Sequence, residues 1–379
     1  MPKILHITKH YPPYVGGIET VCRDMVIALK NDYEQTVIAF NDAKETINEL
    51  VDGVPVVRVG VERVIASQPL SKGYKKALFN AFETFHPDII HFDYPNPYAA
   101  FYLKKAMKKY HFVGKLYVFW HMDIVKQKIL KLFFGPQTKA LIKRADRIVA
   151  TSPNYLKDTS YLPNVDPSKI QVIPLRVGEE RLTITKEQEA KAASIKSEFP
   201  GKKIVFFFGR HVPYKGLGKL IEANKHLDPE KIEILIGGKG PLTDELKEAS
   251  KDMKNVRFLG RLADEDINAY LLACDIFAFP SITRNEAFGI SLAEALHFGK
   301  PAVTFTIVGS GVNYVSIHDE TGLEAPNGNA EALADNIRRL AEDPELYRRL
   351  SIGAAKRAEA LFSPDSFEAN IKKSFIFGE

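Results

Sequence analysis

Short apolar runs alternate with amphipathic stretches along nearly the whole chain, and the alternation pauses once and then restarts. Candidate strands before the pause are Lys3–Ile7, Gln35–Phe40, Val54–Arg58, Ile89–Phe92, Lys115–Phe119, Arg147–Ala150 and Lys169–Ile173. Helical patterns lie between most of them, at Glu19–Lys30, Tyr74–Thr84 and Pro97–Lys109. Such a βαβ rhythm requires a parallel sheet covered by helices on both faces. The pause covers Pro174–Thr183, and a polar, Lys/Glu-rich segment follows to Lys202, which places a domain boundary here. Strands resume at Lys203–Phe208, Lys231–Ile236, Asn255–Phe258, Asp275–Phe279 and Pro301–Thr304. Helices are expected at Gly218–Lys225, Asp244–Lys251, Asp264–Ala273, Ile290–Phe298, Ala330–Ala341 and Glu345–Leu361. The chain therefore reads as α/β, with two doubly wound halves and a ligand cleft at the carboxyl ends of the strands. No internal repeat or low-complexity segment interrupts it.

Length and composition agree with this reading. A chain of 379 residues favours two domains, and 45% apolar content supplies two cores. The two cysteines, Cys22 and Cys274, fall in different halves, which gives no disulfide framework and fits a reducing cytosol. The N-terminal apolar run is too short for a signal peptide, and no run reaches the length of a membrane span. Charge is uneven: residues 1–180 hold 25 Lys and Arg against 18 Asp and Glu, and the remainder 27 against 29. The excess gathers at Lys104, Lys105, Lys108, Lys109, Lys115, Lys126, Lys128 and Lys131. It is either a solvated helix face or a patch for an anionic bilayer or a pyrophosphate-linked acceptor. Without interleaved aromatics, it is a poor match for nucleic acid.

One stretch, Pro280 to Leu296, carries the strongest chemical signal. Between Ala287 and Leu296 the only ionisable side chain is Glu294, on an apolar helix. A carboxylate buried there needs either a structural partner or a ligand rich in hydroxyl donors. Glu286 precedes it by eight residues on the loop feeding the helix, so both can address one cleft. At the end of the second half's first strand, Gly209-Arg210 is followed by Lys215-Gly216. This pairing suits a diphosphate, with Arg supplying planar bidentate bonding and Lys a point charge, although both could be surface cations.

Gly16-Gly17 opens the first helix, where backbone amides can approach an anion, or it is a plain tight turn. It is not the dinucleotide fingerprint, which removes the main support for an oxidoreductase. His121 follows a strand and either meets a sugar hydroxyl or is structural, with Asp123 as its orienting partner or a helix cap. Asp264-Glu265-Asp266 reads as helix-capping acids, and His318-Asp319-Glu320 as a turn. No Cys or His shows metal-ligand spacing, and no phosphate loop of the Walker type is present.

Taken together these pieces resemble a retaining nucleotide-sugar glycosyltransferase of the GT-B fold, in glycosyltransferase family four, of the kind that builds bacterial surface polysaccharides. The resemblance rests on Gly16-Gly17-Ile18-Glu19, Gly209-Arg210 with Lys215-Gly216, Gly238-Lys239-Gly240-Pro241, Val256-Arg257-Phe258-Leu259-Gly260 and the Glu286/Glu294 pair. It implies an acceptor-binding domain at 1–177, a donor-binding domain at 178–363 and a final helix at 364–379 crossing back to the first domain. By the same resemblance Glu294 takes the ribose hydroxyls and Glu286 the donor sugar. Arg210 and Lys215 meet the departing diphosphate without a metal or other cofactor. The backbone at Phe288, Gly289 and Ile290 lies along the donor, Arg261 and Leu262 line the base, and Gly17 approaches the phosphates. His121 sits near the transferred sugar, and the segment His121–Lys128 leans the donor towards GDP-mannose, with UDP-hexoses next. The implied setting is cytoplasmic, at the inner face of the membrane, with a glycan or lipid-linked acceptor. A nucleotide-sugar epimerase and a non-catalytic nucleotide-sugar sensor are the alternatives.

Overall fold

A computed structural model describes residues 1–14, 17–65, 68–121, 128–157 and 165–375. The chain divides into two compact units. The first comprises Met1–Thr151, Thr159–Ile173 and Glu368–Glu379, and the second Ser152–Asp158 and Pro174–Phe367. The divisions of these units fall at 173/174 and 367/368. The excursion of Ser152–Asp158 into the second unit has no counterpart in the sequence pattern. Its Tyr155 is buried, and the Arg284 guanidinium lies 5.1 Å from the ring centroid.

The first unit is built on β1 (Lys3–Ile7), β2 (Glu34–Phe40), β3 (Ile47–Val51), β4 (Val54–Val59), β5 (Arg63–Ile65), β6 (Gln68–Leu70), β7 (Ile89–Tyr94), β8 (Lys115–Trp120), β9 (Arg147–Ala150) and β10 (Ile170–Val172). Its main sheet runs β10-β9-β8-β7-β1-β2-β4-β3, and β5 and β6 form a separate hairpin. All neighbours in the main sheet are parallel except β3 with β4. That hairpin turns on Asp52 and Gly53, both at positive φ (52° and 81°), the two-residue turn that matches strand twist. β3 escapes the sequence pattern because Leu50 points into solvent, leaving no apolar run to read. The central strands are near-continuously apolar because both sheet faces are covered. Polar side chains interrupt them at His6 on β1 and at His91 and Asp93 on β7, all buried, with His6 and His91 in register. Near the end of the chain Phe375 is buried, its ring 4.9 Å from Tyr117 and its carbonyl accepting from the Tyr33 hydroxyl.

The second unit carries β11 (Lys203–Phe208), β12 (Ile232–Gly237), β13 (Val256–Gly260), β14 (Ile276–Phe279), β15 (Ala302–Phe305) and β16 (Gly322–Ala325). They pair in the order β13-β12-β11-β14-β15-β16, all parallel. The strand order reverses between β11 and β14, which is where doubly wound sheets bind ligands. Within the polar segment after the pause, Lys186–Ser197 forms a helix that the apolar rhythm did not announce. Its pattern is weak, with only Ala192 and Ile195 buried. Its start is fixed instead by a capping box in which Thr185 and Gln188 satisfy each other's backbone N–H groups. Lys191 adds an ion pair to Asp266 at 2.5 Å. Thr185→Ala is expected to lower unfolding free energy by about 1 kcal/mol. Denaturant titration checks this, and an unchanged midpoint would mean that the cap contributes nothing.

Candidate active site

The loops after β11 and β14 touch at the reversal of strand order. Gly216 sits at φ +64°, and a Cβ there would lie 2.0 Å from the Pro280 carbonyl oxygen. Only glycine lets these two loops approach so closely. The Ile282 N–H donates to the Tyr214 carbonyl at 2.9 Å, closing the contact. The approach brings Lys215 and Glu286 together, with Nζ 2.5 Å from Oε2 and both side chains buried. The Ser281 hydroxyl donates to the same Oε2 at 3.2 Å, and Lys215 Nζ lies 4.6 Å from the Phe279 ring centroid. Sequence reading placed these two residues on one ligand; here each is the other's partner. Arg210, from the same loop, is exposed and has no ion-pair partner among the described residues. The Tyr214 hydroxyl is pushed up to about 12 by burial and by Glu286, against the pull of Arg210.

Glu294 is buried as its apolar helix requires, and its structural partner is Arg181. Arg181 comes from a short 3-10 turn, Glu179–Arg181, and is itself buried. Its Nε donates to Glu294 Oε1 at 3.1 Å, while Nη1 reaches the Asp264 carbonyl at 3.0 Å and Asn268 Oδ1 at 3.1 Å. Nη2 reaches the Asp264 carboxylate at 3.1 Å. Asp264 therefore opens its helix as an ion-pair partner, while Ala263 stands at the cap position without a side-chain bond. Burial pushes the Glu294 carboxyl up, and Arg181 only partly restrains it, leaving it at about 7. No described residue bonds Glu294 Oε2, so one carboxylate oxygen keeps its capacity to accept.

The remaining donor-side positions lie at neighbouring strand ends. Gly289 caps the helix Ile290–His297 at φ +97°, where a Cβ would come within 3.1 Å of the Phe279 ring. The Phe288 ring is buried 5.5 Å from Phe362, so toward a ligand this residue offers its backbone. Arg261 and Leu262 follow β13, with Arg261 exposed and the Leu262 side chain lying over Gly237 at the end of β12. The residues His318 to Glu320 do form a turn, with Asp319 at φ 60°.

In the first unit, Gly17 begins the helix Gly17–Ala28, and Gly16 lies outside the described residues. So do Asp123, Lys126 and the rest of 122–127, as do the side chains of Lys128 and Lys131. His121 is buried, and its Nε2 stands 2.7 Å from Asp93 Oδ1. Behind Asp93 are His91, with Nε2 3.1 Å from the same oxygen, and His6, with Nδ1 3.1 Å from His91 Nδ1. His6 Nε2 is 2.8 Å from Gln35 Oε1. Donor atoms of His6, Cys22 and His91 lie within 4.8 Å of one another, a grouping that linear spacing hid. The His6 and His91 Nδ1 atoms are already engaged with each other.

Comparison with known proteins decides the family. Residues 15–181 match Glycosyltransferase Family 4, and residues 189–357 match Glycosyl transferases group 1. The D-rhamnosyltransferase WbpZ of Pseudomonas aeruginosa is 30% identical, with 95% of this chain and 92% of that protein covered. This chain belongs to the family 4, group 1 glycosyltransferases. The O-antigen chain mannosyltransferase C of Escherichia coli is 28% identical over 96% of the chain and 95% of its own length. A GDP-mannose-dependent phosphatidylinositol monomannoside mannosyltransferase of Corynebacterium glutamicum is 32% identical over 49% of the chain and 50% of its own. The crystal structure of Anabaena HepE in complex with UDP superposes with a TM-score of 0.79 at 20% identity, covering 99% of both chains. The architecture of the glycosyltransferase is GT-B.

Residues that sequence reading passed over are Arg181, Asp93, His91 and His6. For the last three a signal existed: His and Asp inside strands that burial on both faces requires to be apolar. Arg181 gave none, lying 113 residues from Glu294. The Arg181–Glu294 pair makes the glycosyltransferase pH-sensitive in a definite direction. The Glu294 carboxyl rises from 4.5 to about 7 on folding. The stability tied to its neutral form is therefore full below about pH 4.5 and is lost as pH rises through about 7. Arg181→Met leaves the carboxylate without its cation and should cost about 3 kcal/mol at pH 8, with a smaller loss at pH 5. Equal losses at the two pH values in chemical denaturation would reduce Arg181 to a packing role.

Proposed function

We propose that the enzyme transfers a hexose, mannose before others, from a nucleotide diphosphate sugar to a glycan or lipid-linked acceptor of bacterial surface polysaccharide. The observation that carries this reading is the meeting of Lys215 and Glu286 at the reversal point of the second sheet, on a loop that also carries Arg210. The O-antigen mannosyltransferase and the GDP-mannose-dependent relative support mannose and a guanine nucleotide. The O-antigen chain mannosyltransferase also supports a surface-glycan setting, and WbpZ, a D-rhamnosyltransferase, supports transfer of a hexose-type sugar.

In this reading Glu294 accepts from the ribose through the oxygen that Arg181 leaves unbonded. The backbone from Phe288 to Ile290 follows the diphosphate, and Arg261 and Leu262 border the base. Glu286 takes a hydroxyl of the sugar. Lys215 then exchanges its carboxylate partner for phosphate, and Arg210, exposed and unpaired, supplies the second cation. The two cations and a helix N-terminus stabilise the charge that gathers on the nucleoside diphosphate as the glycosidic bond breaks. No metal is required for that neutralisation. The electron pair of the broken C–O bond stays with the diphosphate. The acceptor hydroxyl bonds the anomeric carbon from the same face and gives its proton to the departing diphosphate oxygen, which retains configuration. Gly17 is assigned to the phosphates and His121 to the transferred sugar.

Arg210→Ala should lower turnover by about 10²- to 10⁴-fold with little change in melting temperature. Lys215→Ala should lower both, because it also strands Glu286 in a buried site. Radiolabelled transfer from GDP-mannose and UDP-hexoses, with the product anomer read by NMR, is the measurement. Wild-type turnover in Arg210→Ala would remove the clamp, and conversion of donor without acceptor would favour an epimerase.

The cytoplasmic, membrane-facing part of the proposal rests on the helix Pro97–Lys109. Phe101, Lys104, Lys105 and Lys108 share its exposed face, with Lys105 4.2 Å from the Phe101 ring centroid. Lys109 is paired to Glu83 at 3.3 Å. Val113 and Lys115 extend the exposed surface. No helix among the described residues is long and apolar enough to cross a membrane. Lysines flanking an exposed aromatic suit the surface of an anionic bilayer. Sedimentation with phosphatidylglycerol vesicles should be strong at about 20 mM salt and weak at about 500 mM. Absence of binding at low salt would exclude the contact.

A further inference from the structure

Five buried polar side chains from three adjacent strands and the turn after a fourth form one continuous line in the first unit: Gln35 on β2, His6 on β1, His91 and Asp93 on β7, and His121 after β8. The direction of each hydrogen bond can be worked out from one end. Gln35 Nε2 donates to the Val26 carbonyl at 3.0 Å, so Oε1 is the atom that faces His6 and must accept. His6 therefore carries its proton on Nε2, and its Nδ1 is a bare lone pair. Burial supports the neutral ring, pulling His6 down to about 3. His91 Nδ1, 3.1 Å away, must then be the donor.

That leaves His91 Nε2 facing Asp93 Oδ1 at 3.1 Å. A neutral His91 would set a lone pair against a buried carboxylate; the imidazolium sets a charge against it. Asp93 is 2% exposed, and a carboxylate at that depth needs a cation. The contact is off line for a directed hydrogen bond, so His91 acts mainly through charge. Cys22, held in the thiol form by burial, and Glu19, an acid, cannot supply that charge, which leaves it to the imidazoles. With Asp93 ionised, His121 Nε2 at 2.7 Å can only donate to it.

We propose that Asp93 is the positioning residue of His121. With His91 and His6 behind it, Asp93 fixes His121 as the Nε2–H tautomer and presents Nδ1 as a hydrogen-bond acceptor for a hydroxyl of the transferred sugar. The proposal rests on the assignment of His121 to that sugar. It adds the group that sets the tautomer of His121 and the buried charge that keeps this group ionised.

The test uses the full chain labelled with ¹⁵N-histidine and long-range ¹H–¹⁵N correlation spectra, with His121→Gln identifying the resonance. The expected result is an unprotonated Nδ1 and protonated Nε2 at His121 in the wild type, and a mixed or reversed tautomer in Asp93→Asn. Turnover in Asp93→Asn should fall about 10²-fold or more with the donor KM little changed, and Asp93→Glu should recover part of it. A protonated Nδ1 at His121 in the wild type overturns the proposal, and that readout needs no folded variant. An unchanged tautomer in a folded Asp93→Asn overturns it as well. Wild-type turnover in His121→Ala would remove the assignment of His121 to the sugar, while the tautomer spectra still decide whether Asp93 sets the ring.

Discussion

A carboxylate removed from water must be given a cation or give up its charge, and that requirement organises this enzyme. Three of the buried carboxylates, Glu286, Glu294 and Asp93, each have a partner suited to them. Glu286 has the mobile point charge of a lysine, Glu294 the planar fork of an arginine, and Asp93 two imidazoles. The partners differ in how readily they can be exchanged. Lys215 meets Glu286 through a single ammonium, a point charge with no fixed orientation. Arg181 is anchored by four hydrogen bonds from its three nitrogens.

The architecture was largely legible because its cause is local. Strands covered on both faces must be apolar, and the helices between them must be amphipathic, so the rhythm appears residue by residue. The departures have equally physical reasons. β3 is solvent-facing and carries no apolar run. The helix Lys186–Ser197 is held by a cap and an ion pair more than by its apolar face.

The site was legible only in part. The solitary charge of Glu294 in an apolar helix announced its burial, but nothing near it announced Arg181. The sequence also showed His121 at a strand end, while its bonded partner Asp93 is 28 residues earlier. Parallel sheets bring together residues separated by whole βαβ units, so a buried charge can be read from the sequence where its counter-charge cannot. Glu286 and Lys215 were recognised as belonging to one place, yet their bond to each other depends on a loop contact that Gly216 permits.

The assignment of Glu368–Glu379 to the first unit bears on biogenesis. On the ribosome, Tyr33 and Tyr117 emerge long before Phe375, which later buries itself beside them. The first unit, although its sheet is synthesised first, cannot complete its core until the residues of the second have also been made. A nascent chain arrested just past the second unit would display an unfinished apolar surface on the half made first, and chaperones would be drawn to that half.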